Sequence, residues 1–321
     1  MSLLTSWLAS PPPDAAIQIA PEAVSVAVLG FRGGAPVIQG YAIEPLPAGA
    51  IGASLTATNI HARPAVVAAL QRALDRAGVR PKRVALVMPD PTARVSLIRF
   101  DQVPGRTEEL EQLIRWQIRK SAPFPIDDAC LSLDVSTRRP DGGTEFVVVV
   151  ARRDLVREYE SLCEDAGMHA GLVDLATLGV VNLCLAAPAE SAGDWLVVHV
   201  QPTYTSVVIL RDSHMIFFRS SGEGDDLALS DMVHQTTMYY QDRLAGQGFS
   251  RVLLGGLGRT PGAIDEMRRT LAQRLGIAVD SIDPTRTASL TDRIAVAPDV
   301  MATLAPLVGV MAGARAAAVS A

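Results

Sequence analysis

The sequence predicts a two-lobed α/β protein, on three observations. Segments of strand type and of helical period alternate along the chain. The opening pattern of three consecutive strands returns after residue 190. With 321 residues, 49% of them hydrophobic, the chain is also long enough to build two cores.

Ile17 to Ile19, Val24 to Leu29 and Val37 to Ile43 read as a strand meander, with a glycine turn at Gly33-Gly34. Ala65, Val66, Ala69, Leu70, Ala73 and Leu74 then recur at three- and four-residue spacing, a helix closed by Gly78 and Pro81. Arg83 to Met88 follows as a buried strand.

Val95 to Phe100 is a strand, and Thr107 with Glu109 and Glu111 opens an acidic helix whose apolar face is Leu110, Leu113, Ile114 and Ile118. Ala122-Pro123-Phe124-Pro125 stops it. Cys130 to Val135 and Glu145 to Ala151 flank a turn at Pro140 to Gly143, and the helix Arg153 to Ala166 ends at Gly167. Residues 94–168 are therefore expected to form a small inserted α+β subdomain of a first lobe, 1–190. Leu172 to Leu175 and the helix Leu178 to Leu185 complete that lobe, with a hinge at Pro188 to Gly193.

Trp195 to Val200, Thr205 to Arg211 and His214 to Arg219 repeat the three-strand opening, which points to an internal duplication. A helix, Leu227 to Leu244, a strand, Arg251 to Leu254, and a helix, Ala263 to Leu275, fill the second lobe, 191–296. Residues 297–321 form an Ala-rich helix, expected to return to the first lobe and to pack closely through Gly309 and Gly313. Pro306 and Arg315 make this run a poor membrane span, and Met1 to Ala9 lacks the basic start of a secretion signal.

The net charge of −5 argues against nucleic acid as a partner. Cys130, Cys163 and Cys184 lack ligand or disulfide spacing and read as reduced core residues of a reducing compartment. His61, His169, His199, His214 and His234 are scattered, so no metal site is assigned. Asp127-Asp128 and Asp225-Asp226 stand at apparent helix starts, where capping is the stronger reading than acid–base chemistry. Ser220-Ser221 lacks a nucleophile elbow. Trp116 falls near the apolar face of its helix and is expected in the core. The alternative places it, with Phe124, in a groove for a partner peptide.

Over nearly its whole length the chain resembles the PilM family of type IV pilus assembly proteins, which share the actin-like, ribonuclease H-like fold with the cell-division protein FtsA. The segments that carry the resemblance are Val95 to Pro125 with its "SAPFP" stop, Tyr239 to Gly258 with "RVLLGGLG", and "FFRSSGEGDD", Phe217 to Asp226. The resemblance implies a cytoplasmic protein, peripheral to the inner membrane, that docks the tail of the membrane protein PilN and couples the platform to the assembly motors. It also implies ATP between the lobes.

In the family the first phosphate turn is D-x-G with a Lys soon after; here Gln18, Ala20 and Ser25 stand in that register. The second D-x-G reads His199-Val200-Gln201, followed by Pro202. Gln supplies no charge to hold Mg²⁺, and Pro has no N–H for phosphate. Gly255, Gly256 and Gly258 keep the adenosine-side turn. The reading is a scaffold that neither hydrolyses nor depends on ATP, a pseudo-ATPase. Two alternatives remain: an ATP-binding switch that has rebuilt its phosphate contacts with Thr203, Thr205 or Ser206, and the cytoplasmic part of a GspL-like secretion protein. The latter family continues into a membrane span, whereas this sequence ends after its Ala-rich helix.

Overall fold

A computed structural model of the chain describes residues 12–32, 35–138, 142–187, 192–222, 229–290 and 297–320. The expectations for Met1 to Ala9, Gly33-Gly34, Pro140-Asp141, Asp225-Asp226 and most of the hinge at Pro188 to Gly193 fall outside these residues.

The first half opens with β1 (Ala15–Ile19), β2 (Ala23–Arg32) and β3 (Ala35–Pro45), followed by α1 (Arg63–Ala77) and β4 (Arg83–Met88). Pro64 sits in the first turn of α1, where the missing N–H is harmless. Gly78 ends it at φ 70°, a left-handed cap that satisfies the last carbonyls. Next come β5 (Ala93–Phe100), α2 (Thr107–Ile118), β6 (Ala129–Arg138), β7 (Thr144–Arg152), α3 (Arg153–Asp165), β8 (His169–Leu175) and α4 (Ala176–Ala186). The second half contains β9 (Asp194–Val200), β10 (Tyr204–Arg211), β11 (His214–Gly222), α5 (Leu229–Arg243), β12 (Arg251–Gly256), α6 (Ala263–Leu275), β13 (Val279–Ser281), β14 (Ser289–Leu290) and α7 (Pro298–Ser320).

The duplication is visible in strand order. One sheet runs β14-β3-β2-β1-β4-β8 and the other β11-β10-β9-β12-β13. In each, an antiparallel meander feeds two parallel strands: β1 pairs with β2 antiparallel and β4 parallel, as β9 does with β10 and β12. Parallel central strands are covered on both faces and read as continuous apolar runs, which is why Val84 to Met88 and Leu196 to Val198 are fully or almost fully buried. Each such side chain contributes roughly 1.5–3 kcal/mol. A separate three-stranded sheet, β5-β7-β6, carries α2 on one face.

The Ala-rich α7 lies against α4. An added Cβ at Gly309 would stand 1.8 Å from the Gly179 carbonyl oxygen, and one at Gly313 would strike the Asn182 side chain, so glycine is what permits this approach. Leu304, Leu307, Val308 and Met311 are buried, and Arg315 pairs with Asp14 while lying 3.9 Å over the Phe31 ring. Among the described residues α7 is the helix long and apolar enough to cross a membrane, yet its centre is core.

Two expectations are corrected here. Trp116 is 71% exposed: α2 buries Leu110, Ile114 and Ile118, and two residues beyond Ile114 the helix has turned about 200° away from that stripe. Asp127 and Asp128 cap no helix. They lie within a single 3-10 turn, Ile126–Asp128, that follows Pro125, and Asp127 sits 3.6 Å from Arg119.

Candidate functional site

Two places where the halves of the chain meet are candidates for function. The first is a polar seam at the turn ends of β1 and β9. The duplicated register puts Gln18 opposite Ser25 and His199 opposite Ser206. All four are buried. In the second half this pair is wired into a network. The 3-10 turn Asp90–Thr92 after β4 holds a fully buried carboxylate, which accepts from the Thr177 N–H (3.0 Å), the Thr177 hydroxyl and the Ser206 hydroxyl.

Because the Thr177 hydroxyl spends its proton on Asp90, it accepts from Nδ1–H of His199 at 2.7 Å. Nε2 of His199 then accepts from the Gln201 amide at 2.8 Å. The ring is thereby fixed as one neutral tautomer, and burial pushes its pKa down to about 3. Burial pushes the Asp90 carboxyl up, against the opposing hydrogen bonds of Ser206 and Thr177. Ser220 lies 3.0 Å from the Ser206 hydroxyl, and Tyr204 meets the His199 ring edge-on.

The seam does not fit Mg-ATP. Both turns close on themselves, Ala20 N–H to Ala23 O and Gln201 N–H to Tyr204 O, and Pro21 and Pro202 offer no N–H. Gln18 is buried with its amide oxygen unpartnered among the described residues. Beyond the turns lies a cleft of about 400 Å³ reached by Pro21, Pro91, Thr203 and Gly222. Among the described residues no Lys, Arg, Asp or Glu lines it, so none of them offers a charge to a triphosphate or a metal there. Thr205 faces Val200 and Ser221 across the sheet, and Ser206 is committed to Asp90.

Gly255, Gly256 and Gly258 are explained by the chain itself. A Cβ at Gly256 (φ 116°) would stand 1.8 Å from the Val200 carbonyl oxygen, one at Gly255 would meet Ile282, and one at Gly258 would meet Ala263.

The second place is a groove of about 450 Å³ between the three-stranded sheet and the first large sheet. Leu131, Val147 and Val149 form one wall, and Leu172 and Leu178 the other. The turn Ser213–Met215 of the second half closes one side, tied down by the Ser136 hydroxyl donating to Met215 O. The strand orders make β6 and β8 the edge strands of their sheets, and both line this groove. Unpaired edge N–H and C=O groups beside apolar walls are what an extended peptide requires.

Neither Trp116 nor Phe124 lines this groove. Phe124 borders a separate cleft with Arg152, Arg153 and Arg157, and Trp116 stands on the outer surface of α2. Asp90, Thr177 and Asp174 escaped the sequence reading. The signals were an Asp-Pro directly after a buried strand and an Asp inside the apolar run Leu172 to Leu175.

Two sheets of matching strand order, meeting at a seam of their turn ends, define an actin-like protein. The family described as type IV pilus assembly protein PilM matches residues 16–243, more than half of the chain. The chain belongs to that family.

A solved structure described as a PilM–PilN type IV pilus biogenesis complex superposes with a TM-score of 0.78 at 16% identity, covering 96% of this chain and 99% of that one. A Bacteroides thetaiotaomicron protein of actin-like ATPase fold and unknown function gives 0.49 at 8% identity, covering 90% and 94%. The ethanolamine utilization protein EutJ from Carboxydothermus hydrogenoformans gives 0.49 at 10% identity, covering 94% and 91%.

Proposed function

We propose that this PilM-family protein is a cytoplasmic scaffold of type IV pilus assembly that holds the cytoplasmic tail of a PilN-like inner-membrane protein, without binding or hydrolysing ATP. The observation that carries the reading is the groove flanked by two strand edges, β6 and β8, under apolar walls. A tail entering as an added strand satisfies its backbone on an edge and places alternate side chains against Val147, Val149, Leu172 and Leu178. The likeness to a structure described as a PilM–PilN complex supports the choice of partner. Attachment through that tail makes the protein peripheral to the inner membrane. The seam supports the second half of the proposal, since Asp90, Thr177, His199 and Gln201 hydrogen-bond to one another and the described residues of the neighbouring cleft include no Lys, Arg, Asp or Glu.

The experiment is calorimetric titration of the protein with a synthetic peptide of the PilN-like cytoplasmic tail from the same organism, beside the variant Val149→Asp. Val149 is half-buried and lines the groove, so a carboxylate there meets the incoming apolar side chains rather than the core of α2. Saturable binding lost in the variant is the expected result. Equal binding by both proteins refutes the groove.

A further inference from the structure

The groove is apolar but not neutral. Among the described residues its lining includes two carboxylates, Asp134 and Asp174, and no Lys or Arg. Asp134 is exposed and accepts from the following N–H, that of Val135. Asp174 lies deeper, next to last in the edge strand β8 and two residues before α4 begins, among Met88, Leu172 and Leu178. One carboxylate oxygen accepts from the Leu175 N–H at 2.8 Å, and no cation pairs with it among the described residues.

Burial, with Asp90 adding repulsion, lifts its carboxyl to about 6. Asp90 has three donors to offset its burial, whereas Asp174 has, among the described residues, the Leu175 N–H and a groove in front of it. A partly desolvated carboxylate at the end of an apolar groove is stabilised by an incoming cation with hydrogen-bond donors, and repels an anion. The cytoplasmic flanks of membrane spans carry an excess of Lys and Arg.

From this geometry we infer that Asp174 is the specificity-determining residue of the groove, pairing with a Lys or Arg side chain of the docked tail while the tail's apolar residues fill the walls. The inference rests on the groove reading above. It selects among tails by charge: apolar segments with a basic residue in register are held, and those with an acidic residue there are rejected.

The test is a mutant cycle on the full chain with the same tail peptide. Asp174→Asn keeps the shape and an acceptor for the Leu175 N–H, and its thermal melt verifies that it folds. We expect it to bind the tail at least tenfold more weakly than wild type. Each Lys and Arg of the peptide is replaced by Met in turn. One replacement should reproduce that loss on wild type and add less than twofold on Asp174→Asn.

Unchanged affinity of Asp174→Asn overturns the inference, as does a tail that binds the groove with no basic residue contributing. The variant Val149→Asp separates the two claims. If it abolishes binding while Asp174→Asn leaves it intact, the groove stands and the inference fails. If it binds like wild type, the groove reading fails, and the inference with it.

Discussion

The seam and the groove share one helix and have opposite chemistry. At the seam, the first turn of α4 brings Thr177 between Asp90 and His199, and the main polar groups there have partners within the chain. At the groove, α4 offers Leu178 beside two strand edges that end their sheets. Buried polar groups that satisfy one another hold a single arrangement, while an apolar cleft beside unpaired backbone is unfinished until something enters it. At the seam these groups are occupied with one another, whereas the groove opens beside two strand edges.

The hardest blow to both regions is at the helix pair beneath them. Gly309→Val drives a branched side chain into the Gly179 carbonyl and should lower stability by about 3 kcal/mol, with the seam and the groove failing together. Chemical denaturation of the variant measures this. If the tail still binds normally to it, α4 is not the shared support.

Breaking only the seam should be next in size. Asp90→Ala strands the donors of Thr177 and Ser206 and should destabilise by about 2–3 kcal/mol in denaturant titration. Disturbing the groove, with Val149→Asp, should weaken the tail roughly thirtyfold, about 2 kcal/mol, with a smaller loss of stability in the free protein because Val149 borders the first-lobe core, read from its melt.

A pH series sharpens the seam further. His199 is held neutral, with a folded pKa of about 3 against the ordinary 6.5. The unfolded chain therefore binds the extra proton first as pH falls. The stability this group contributes is whole above pH 6.5 and is lost progressively toward 3. Asp174, with its carboxyl raised to about 6, acts in the opposite sense: as pH rises from the ordinary value 3.8 to about 6 the unfolded carboxyl ionises while the folded one keeps its proton, so stability falls across that window. The two effects are separated by His199→Gln. The advantage of wild type over this variant, about 1 kcal/mol at pH 7.5, should shrink as pH is lowered through 6.5, read from melts in matched buffers. The smallest effect is expected from Trp116→Ala, within about 0.5 kcal/mol, because the ring is 71% exposed.

Much of this architecture was legible in the sequence where one local signal suffices. β4 at Arg83–Met88 and α6 at Ala263–Leu275 match their expected bounds, since an unbroken apolar run and a helical stripe each stop at Gly or Pro. The meander recurring at Trp195 announced the duplicated sheet. β13 and β14 went unread because three and two residues leave no period to detect; they exist by pairing with β12 and β3.

The seam is half legible. Gln18 and His199 stand out in the sequence as replacements in the turns, but Asp90 and Thr177, 87 residues apart in sequence, come together beside His199 only through the fold. The lining of the groove between β6 and β8 is not legible in the sequence, because edge strands are a property of sheet order rather than of any segment. Trp116 shows the limit of a helical stripe: a large apolar residue near the stripe reads as core, and the helix turns it outward.

The most direct test of the central claim is calorimetric titration of nucleotide-free protein with the PilN-like tail, repeated in saturating Mg-ATP, with Mg-ATP alone as the third run. The account predicts no heat from Mg-ATP alone and superimposable tail isotherms in its presence and absence. Saturating heat from Mg-ATP at micromolar concentration, or a tail that binds only when nucleotide is present, would contradict it.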